Sequence, residues 1–203
     1  MVNARGKIKV NTSSKEEKIV HSLLVAIGEN PSRQGLIDTP KRVTRMWREL
    51  FKGYDKSKKP FITCFDNNTD GVSYDQMIVD SGHFFSHCEH HMVPFFGQYF
   101  FGYIPDKKVV GLSKVARIVD YFAARLQIQE RLTKDVVDEL EKTLKPKGIA
   151  LVIKARHLCK EMRGVMKHDG EMITGDLRGA FINQETTKME FLNYINNSKN
   201  GKV

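Results

Sequence analysis

The sequence predicts an α+β fold in which an antiparallel sheet carries helices on one face. Strand-like and helix-like stretches come in runs, not in the strict alternation of a parallel βαβ sheet. The helical stretches space their apolar residues three to four apart, and the strand stretches alternate or concentrate aromatic and β-branched residues. The 203 residues, 40% hydrophobic and 28% charged, suffice for one good core with an appendage. Such a sheet would stay bare on its other face in a monomer, and its edges invite pairing with a second chain, so a homo-oligomer is expected.

Residues 1–12 read as a flexible N-terminal arm. Ser14-Lys15-Glu16-Glu17 is a capping box, and Ile19, Val20, Leu23, Leu24 and Ile27 follow at helical spacing up to a stop at Gly28. Thr39-Pro40 reads as an N-cap with proline at the first helical position. Val43, Met46, Trp47, Leu50 and Phe51 make an apolar stripe that Gly53 ends. These helices form an N-terminal helical region over 13–60, whose polar end, 56–60, links it to a second domain over 61–196.

In that domain 61–65, 77–79, 95–104 and 109–110 read as strands, the last two joined by a turn at Pro105-Asp106-Lys107-Lys108. Ser113 is placed as the cap of a helix carrying Val115, Ile118, Val119 and Phe122. Thr133 caps a second, with Val136, Val137, Leu140 and Leu144. Residues 148–156 alternate as a strand, 177–182 form a weaker one, and Thr187-Lys188-Met189-Glu190 caps a final helix through Phe191, Leu192 and Ile195. A polar tail, 197–203, closes the chain.

No apolar run approaches the roughly 20 residues that span a bilayer, and the start of the chain lacks the apolar segment of a secretory signal. Three cysteines, two of them candidate ligands, point to a reducing compartment, the cytoplasm, and not to a disulfide framework. Cys64 reads as a small buried hydrophobe. The net charge of +9 suits an anionic partner: nucleic acid, a membrane surface or a phosphorylated small molecule. A solvated basic surface is the plainer explanation.

The densest chemistry lies in Ser86-His87-Cys88-Glu89-His90-His91; His83, His87, His90 and His91 are four of the seven histidines. Cys88 and His91, three positions apart, can point at one metal ion, and Cys159 in His157-Leu158-Cys159 would complete a set of two thiolates and one imidazole. Three protein ligands with a fourth position open is the catalytic zinc pattern, not the closed structural one. The competing reading is a turn of surface histidines and two buried free thiols. Gly111-Leu112-Ser113-Lys114-Val115-Ala116-Arg117 puts a hydroxyl and two cations on the first turn of a helix, where free amides also favour an anion. Solvated basic residues on a capped helix are the alternative. In Gln127-Ile128-Gln129-Glu130-Arg131-Leu132-Thr133, between two helices, Glu130 can accept from two adjacent N–H donors, as on the edge of guanine, or pair with Arg131 at the surface. Arg163-Gly164 sets a cation just after Cys159.

Together these stretches resemble the GTP cyclohydrolase I family. The resemblance rests on Cys88-Glu89-His90-His91, Gly102-Tyr103-Ile104-Pro105, Gly111-Leu112-Ser113-Lys114 with Ala116-Arg117, and Gln127 through Thr133. It continues in His157-Leu158-Cys159 and Met162-Arg163-Gly164, and Gly35-Leu36-Ile37-Asp38-Thr39-Pro40-Lys41-Arg42 is similar to the family's N-terminal helical region. It implies the tunnelling fold, a four-stranded antiparallel sheet with two helices on one face, preceded by a helical region. Family members join their sheets between subunits into pentameric barrels, stack two pentamers into a decamer and place their sites between subunits.

The implied reaction converts GTP and water to 7,8-dihydroneopterin triphosphate and formate, the first step of pterin and folate biosynthesis. By that resemblance Cys88, His91 and Cys159 hold zinc, and His90 and His157 are acid–base groups. Ser113 assists the later rearrangement, Glu130 binds guanine with Gln129 beside it, and Lys114, Arg117 and Arg163 hold the triphosphate, with Arg42 a further phosphate contact. The chain departs from the family at 167–178, where several serines and threonines are usual and only Thr174 remains, and at Asp80-Ser81-Gly82-His83, His87 and Gln76. Two other readings compete: a related tunnelling-fold enzyme acting on another purine or pterin, or using a cysteine nucleophile, and a basic zinc-stabilised nucleic-acid-binding module. The last lacks any groove-reading element, so neither a nucleic acid nor a membrane is an expected partner.

Overall fold

The structure, a computed structural model, describes residues 14–69 and 71–198. The arm at 1–12 and the tail beyond 198 lie outside the described residues. The chain divides into two compact units, Met1–Phe51 and Lys52–Val203.

In the first unit α1 (Lys15–Ala26) packs on α2 (Thr39–Leu50). The Ser14 hydroxyl accepts from the Glu17 amide at 3.2 Å, as the capping box requires. α2 begins one residue earlier than the sequence suggests: Asp38 is its N-cap and Thr39 its first residue.

The second unit begins with the stretch read from sequence as the end of the helical region. Residues 52–60 form two 3₁₀ turns, Lys52–Tyr54 and Lys56–Lys58. The Gly53 amide donates to Ala124 O at 3.0 Å, and Arg125 Nε donates to Gly53 O at 2.8 Å. A Cβ on Gly53 would lie 2.2 Å from Tyr121 O, so only glycine lets the chain pass this close.

The remaining elements are β1 (Cys64–Asp66), β2 (Ile78–Cys88), β3 (Pro94–Ile104), β4 (Lys108–Val110), α3 (Leu112–Ala123), β5 (Leu126–Gln127), α4 (Gln129–Leu144), β6 (Gly148–His157), α5 (Leu158–Glu161), β7 (Met172–Gly179), α6 (Ala180–Asn183) and α7 (Glu185–Ser198). The main sheet has five strands in the order β5-β2-β3-β6-β7, and β1 pairs with β4 apart from it. Four long antiparallel strands were expected; the fifth is the two-residue β5, parallel to β2 with Cys88 opposite Gln127.

Alternate residues of each strand point to opposite faces. Phe84, Phe95, Tyr99, Phe101, Ile149, Leu151 and Ile153 face α3 and α4 and form the main core with Val115, Ile118, Val119, Leu132, Val136 and Leu140. Phe100, Ala150 and Val152 face the other way. That second face is not bare throughout, as expected for a monomer: Phe181, Phe191 and Ile195 of α6 and α7 cover it at one end. Its other end carries the stacked pair Phe85 and Phe96, with Phe85 69% exposed.

Three local readings fail for backbone reasons. α3 is capped by Gly111 and α4 by Ile128, neither through a side chain, so Ser113 and Thr133 lie inside their helices. The predicted strand at 177–182 is the end of β7 followed by α6, because Gly179 at φ +60 breaks the extended run. α7 starts before Thr187, whose hydroxyl donates to Gln184 Oε1 rather than capping a new helix.

Candidate active site

The sheet register assembles the site. Cys88 ends β2, and residues 89–93 turn the chain into β3. Met92 takes the left-handed conformation (φ 55) and donates to Cys88 O at 2.8 Å, and the Cys88 amide donates to Val93 O at 2.9 Å. This tight hairpin folds the two histidines back over the cysteine: Cys88 Sγ lies 3.7 Å from Nδ1 of both His90 and His91. β6 leaves the sheet beside β3, with His157 opposite Phe95, and the first turn of α5 then carries Cys159. Thus β3, lying between β2 and β6, brings sulfurs 71 residues apart in sequence to one end of the sheet.

Cys88, His91 and Cys159 each offer one ligand atom, and these atoms all lie within 4.8 Å of one another. Tetrahedral bonds of about 2.3 Å to sulfur and about 2.0 Å to nitrogen set ligand atoms roughly 3.5–3.8 Å apart, so the donor set fits a metal ion. His90 is equally near Cys88 but falls outside the group, and its side chain is exposed. Burial and then the Cys88 sulfur push the Cys159 thiol up from its ordinary range. A cation between two such sulfurs reverses that preference by favouring the thiolates.

The other groups at this end come from β5 and α4. With Cys88 opposite Gln127, the first turn of α4 starts beside the hairpin and carries Gln129 and Glu130. The sequence placed them in a loop; the helix begins there. Arg131 is spent on Glu89, Gln127 Oε1 and Leu126 O, so Glu130 does not take it as a partner. Glu130 instead lines an open groove of about 410 Å³ with Thr133, Lys134, Thr174, Gly175 and Asp176.

The His157 ring stacks on Phe95 at 4.6 Å with 2° between planes, and its Nε2 lies 2.9 Å from Gln129 Oε1. Burial lowers the pKa of His157, against the opposing pull of Glu130. Gln129, expected beside the guanine, is 1% exposed and its amide is engaged inside the protein. Phe95, Thr133 and Thr174 complete these surroundings and were not singled out as site residues; apolar and hydroxyl side chains carry no ligand signature of their own. Arg163, in the loop after α5, is close enough to act electrostatically on Cys159.

The remaining predicted residues do not converge here. Ser113 and Lys114 line a different cavity of about 710 Å³ with Asp80, Gly82, His83, Tyr99 and Asp120. The Ser86 hydroxyl donates to Ala123 O at 2.8 Å, which ties the C-terminal end of α3 to the metal end of β2. Ser113 lies ten residues back along the helix, about 15 Å at 1.5 Å per residue. Arg117 is exposed on the same helix. Arg42 lies in the first unit, in an exposed pair with Asp38 at 3.5 Å. No helix among the described residues is long and apolar enough to cross a membrane.

Residues 16–196 match the family model described as GTP cyclohydrolase I. The chain is 47% identical over 187 residues to GTP cyclohydrolase 1 of Sulfurihydrogenibium sp., covering 92% of this chain and 96% of that protein. It is 44% identical over 180 residues to GTP cyclohydrolase 1 of Wolinella succinogenes, covering 88% and 95%. A solved structure, the archaeosine synthase QueF-Like in the apo form, superposes with a TM-score of 0.44 at 16% identity, covering 51% of this chain and 93% of that one.

Proposed function

The chain belongs to the GTP cyclohydrolase I family, and from that premise we propose that the metal end of its sheet opens the imidazole ring of GTP. It is a hydrolase acting on GTP in pterin and folate biosynthesis; the products are formate and 7,8-dihydroneopterin triphosphate. The observation that carries the reading is the convergence of Cys88, His91 and Cys159 within 4.8 Å, with His157 and the start of α4 at the same end of the sheet.

The metal is zinc, held by Cys88, His91 and Cys159; when bound it supplies a water activated near neutral pH, which the weakly electrophilic guanine C8 requires. Glu130 fixes the base by accepting from two adjacent N–H donors on the guanine edge. His90, exposed and next to the ligands, and His157, held by Phe95 and Gln129, carry protons to and from the purine and the opening ribose. Lys114, Arg117 and Arg163 hold the triphosphate, aided by the free amides at the start of α3. Arg42 adds a phosphate contact, and Ser113 assists the rearrangement.

Within one chain Ser113 and Lys114 lie too far along α3 to share a triphosphate with Glu130. We therefore place the complete site between copies, with the start of α3 supplied by a neighbour. Homodecamers of two sheet-joined pentamers with the tunnelling fold meet that need. The exposed apolar residues Phe61, Phe65, Phe85, Leu112 and Ile173 support burial against other copies. The test is GTP turnover followed by fluorescence of the oxidised pterin, with chelator and after zinc is restored. Loss and recovery are expected. Unchanged turnover in a chelated, metal-free protein refutes the zinc role, and absence of turnover in zinc-loaded protein returns the case to another purine or pterin substrate.

A further inference from the structure

The polar groups behind His157 can be assigned one by one from obligatory donors and acceptors. Gln129 Nε2 lies 3.1 Å from Ile153 O and 3.0 Å from Met172 O. Both are backbone carbonyls, which only accept. The NH₂ end of the amide must therefore face them, and Oε1 must face His157 Nε2, 2.9 Å away. Since Oε1 only accepts, Nε2 of His157 carries the hydrogen. The hydroxyls close the argument. Thr133 Oγ1 donates to Gln129 O at 2.8 Å, so its one hydrogen is used. Thr174 Oγ1, 2.7 Å from Thr133 Oγ1, must be the donor of that pair. Thr174 Oγ1 also lies 3.1 Å from Gln129 Nε2, whose two hydrogens already face the carbonyls, so this contact shares one of them and Thr174 joins the network through its donation to Thr133. Gln129 and Thr133 are 1% and 2% exposed, so water does not compete for these bonds.

We propose that Gln129, Thr133 and Thr174 form a positioning network that holds His157 as the Nε2–H tautomer and leaves Nδ1 as the nitrogen that meets the substrate. Gln129 is thus a positioning residue and not a contact to guanine. Phe95, stacked on the ring, fixes its plane, and the amide fixes its rotation within that plane. Thr174 takes part from β7, and it is the one hydroxyl left in the atypical 167–178 stretch. This inference rests on the reading of His157 as a proton carrier, and its test separates the two.

Protein labelled with ¹⁵N in histidine, as the full-length zinc-loaded oligomer, is examined by solid-state NMR at pH about 8.5, well above the ordinary imidazole pKa of about 6.5. His157 is identified by the signals lost in His157→Ala. The expected result is one tautomer, with Nε2 protonated and Nδ1 bare, giving way to a mixture in Gln129→Leu. Kinetically, Gln129→Leu should lower kcat by about 100-fold, the lower range of general acid–base effects, with KM for GTP changed less than about threefold. Thr174→Val, which keeps the shape and removes the hydroxyl, should lower kcat by about tenfold in the same pattern and serves if Gln129→Leu does not fold. An Nδ1–H tautomer in the unmutated protein overturns the proposal without any variant. So does a raised KM with kcat preserved, the mark of a direct substrate contact. Full activity in His157→Ala would refute its proton-transfer role, while the tautomer still decides the network.

Discussion

Cys88 is buried and Cys159 half-buried, and both are free thiols at the same end of the sheet as His91. Cys64 is also free, but it lies on β1 outside this group. Metal analysis should therefore find one zinc per chain, lost in Cys88→Ser and in Cys159→Ser and retained in Cys64→Ser. Full zinc in either of the first two variants would contradict the ligand set. At Glu130, Glu130→Gln keeps an acceptor but removes the charge. GTP binding should weaken by roughly 1.5–3 kcal/mol, the worth of a charge-assisted hydrogen bond, measured as Kd by calorimetry on a turnover-deficient background. Asp80, on β2, accepts from the Tyr99 hydroxyl at 3.2 Å, and burial raises its pKa. Its folded value lies above the ordinary value of about 3.9, so between the two the folded state holds a proton that the unfolded state has lost. Stability falls as pH rises through that window. Asp80→Asn, still able to accept from Tyr99, should raise Tm at pH 7 and much less at pH 4. The cysteines and histidines were legible from sequence because few residue types bind metal. The role of Gln129 was not: a glutamine reads the same whether it faces substrate or interior, and its partners lie 24 to 45 residues away.

At the scale of elements, the apolar periodicity marked α1 through α4, β3 and β6, because burial on one face leaves a periodic trace. β2 was read only over 77–79, since Asp80, Ser81, His83, Ser86 and His87 interrupt its apolar pattern, and β7 only at its end. Helix starts were less legible. Ser113 and Thr133 look like caps, yet their helices begin at Leu112 and Gln129, where residues 111 and 128 are extended. That shift matters for the site: it sets Glu130 on a first turn, aimed by a helix instead of a loop. The tight crossing of β3 and β6 was silent in the sequence. A Cβ at Gly97 would lie 1.9 Å from Lys154 O and 2.7 Å from the Ala155 Cα, both backbone atoms in the centre of the sheet. Gly97→Ala should cost at least about 1–3 kcal/mol, read as a lowered denaturant midpoint at fixed protein concentration. An unchanged midpoint would mean that the two strands separate more easily than their register implies.

For the whole molecule, the division of the predicted residues between two ends of α3 is the feature that a single chain leaves incomplete. Light scattering at micromolar concentration should give a decamer, and a stable, active monomer would refute the composite site. The same claim has a functional form. Cys88→Ser lacks the metal end and Lys114→Ala lacks the phosphate end; unfolded together and refolded as mixed oligomers, they should recover part of the turnover that each lacks alone. The chain's membership in its family was legible from its motifs, but the separation of those motifs between the two ends of α3 follows only from the sheet register and the length of that helix. The claim on which everything else depends is that the metal end opens the GTP ring. The direct measurement is formate released per GTP consumed, in zinc-loaded protein and in Cys88→Ser. One formate per GTP from the former and none from the latter is the predicted result; zinc-loaded protein that releases no formate from GTP would contradict it.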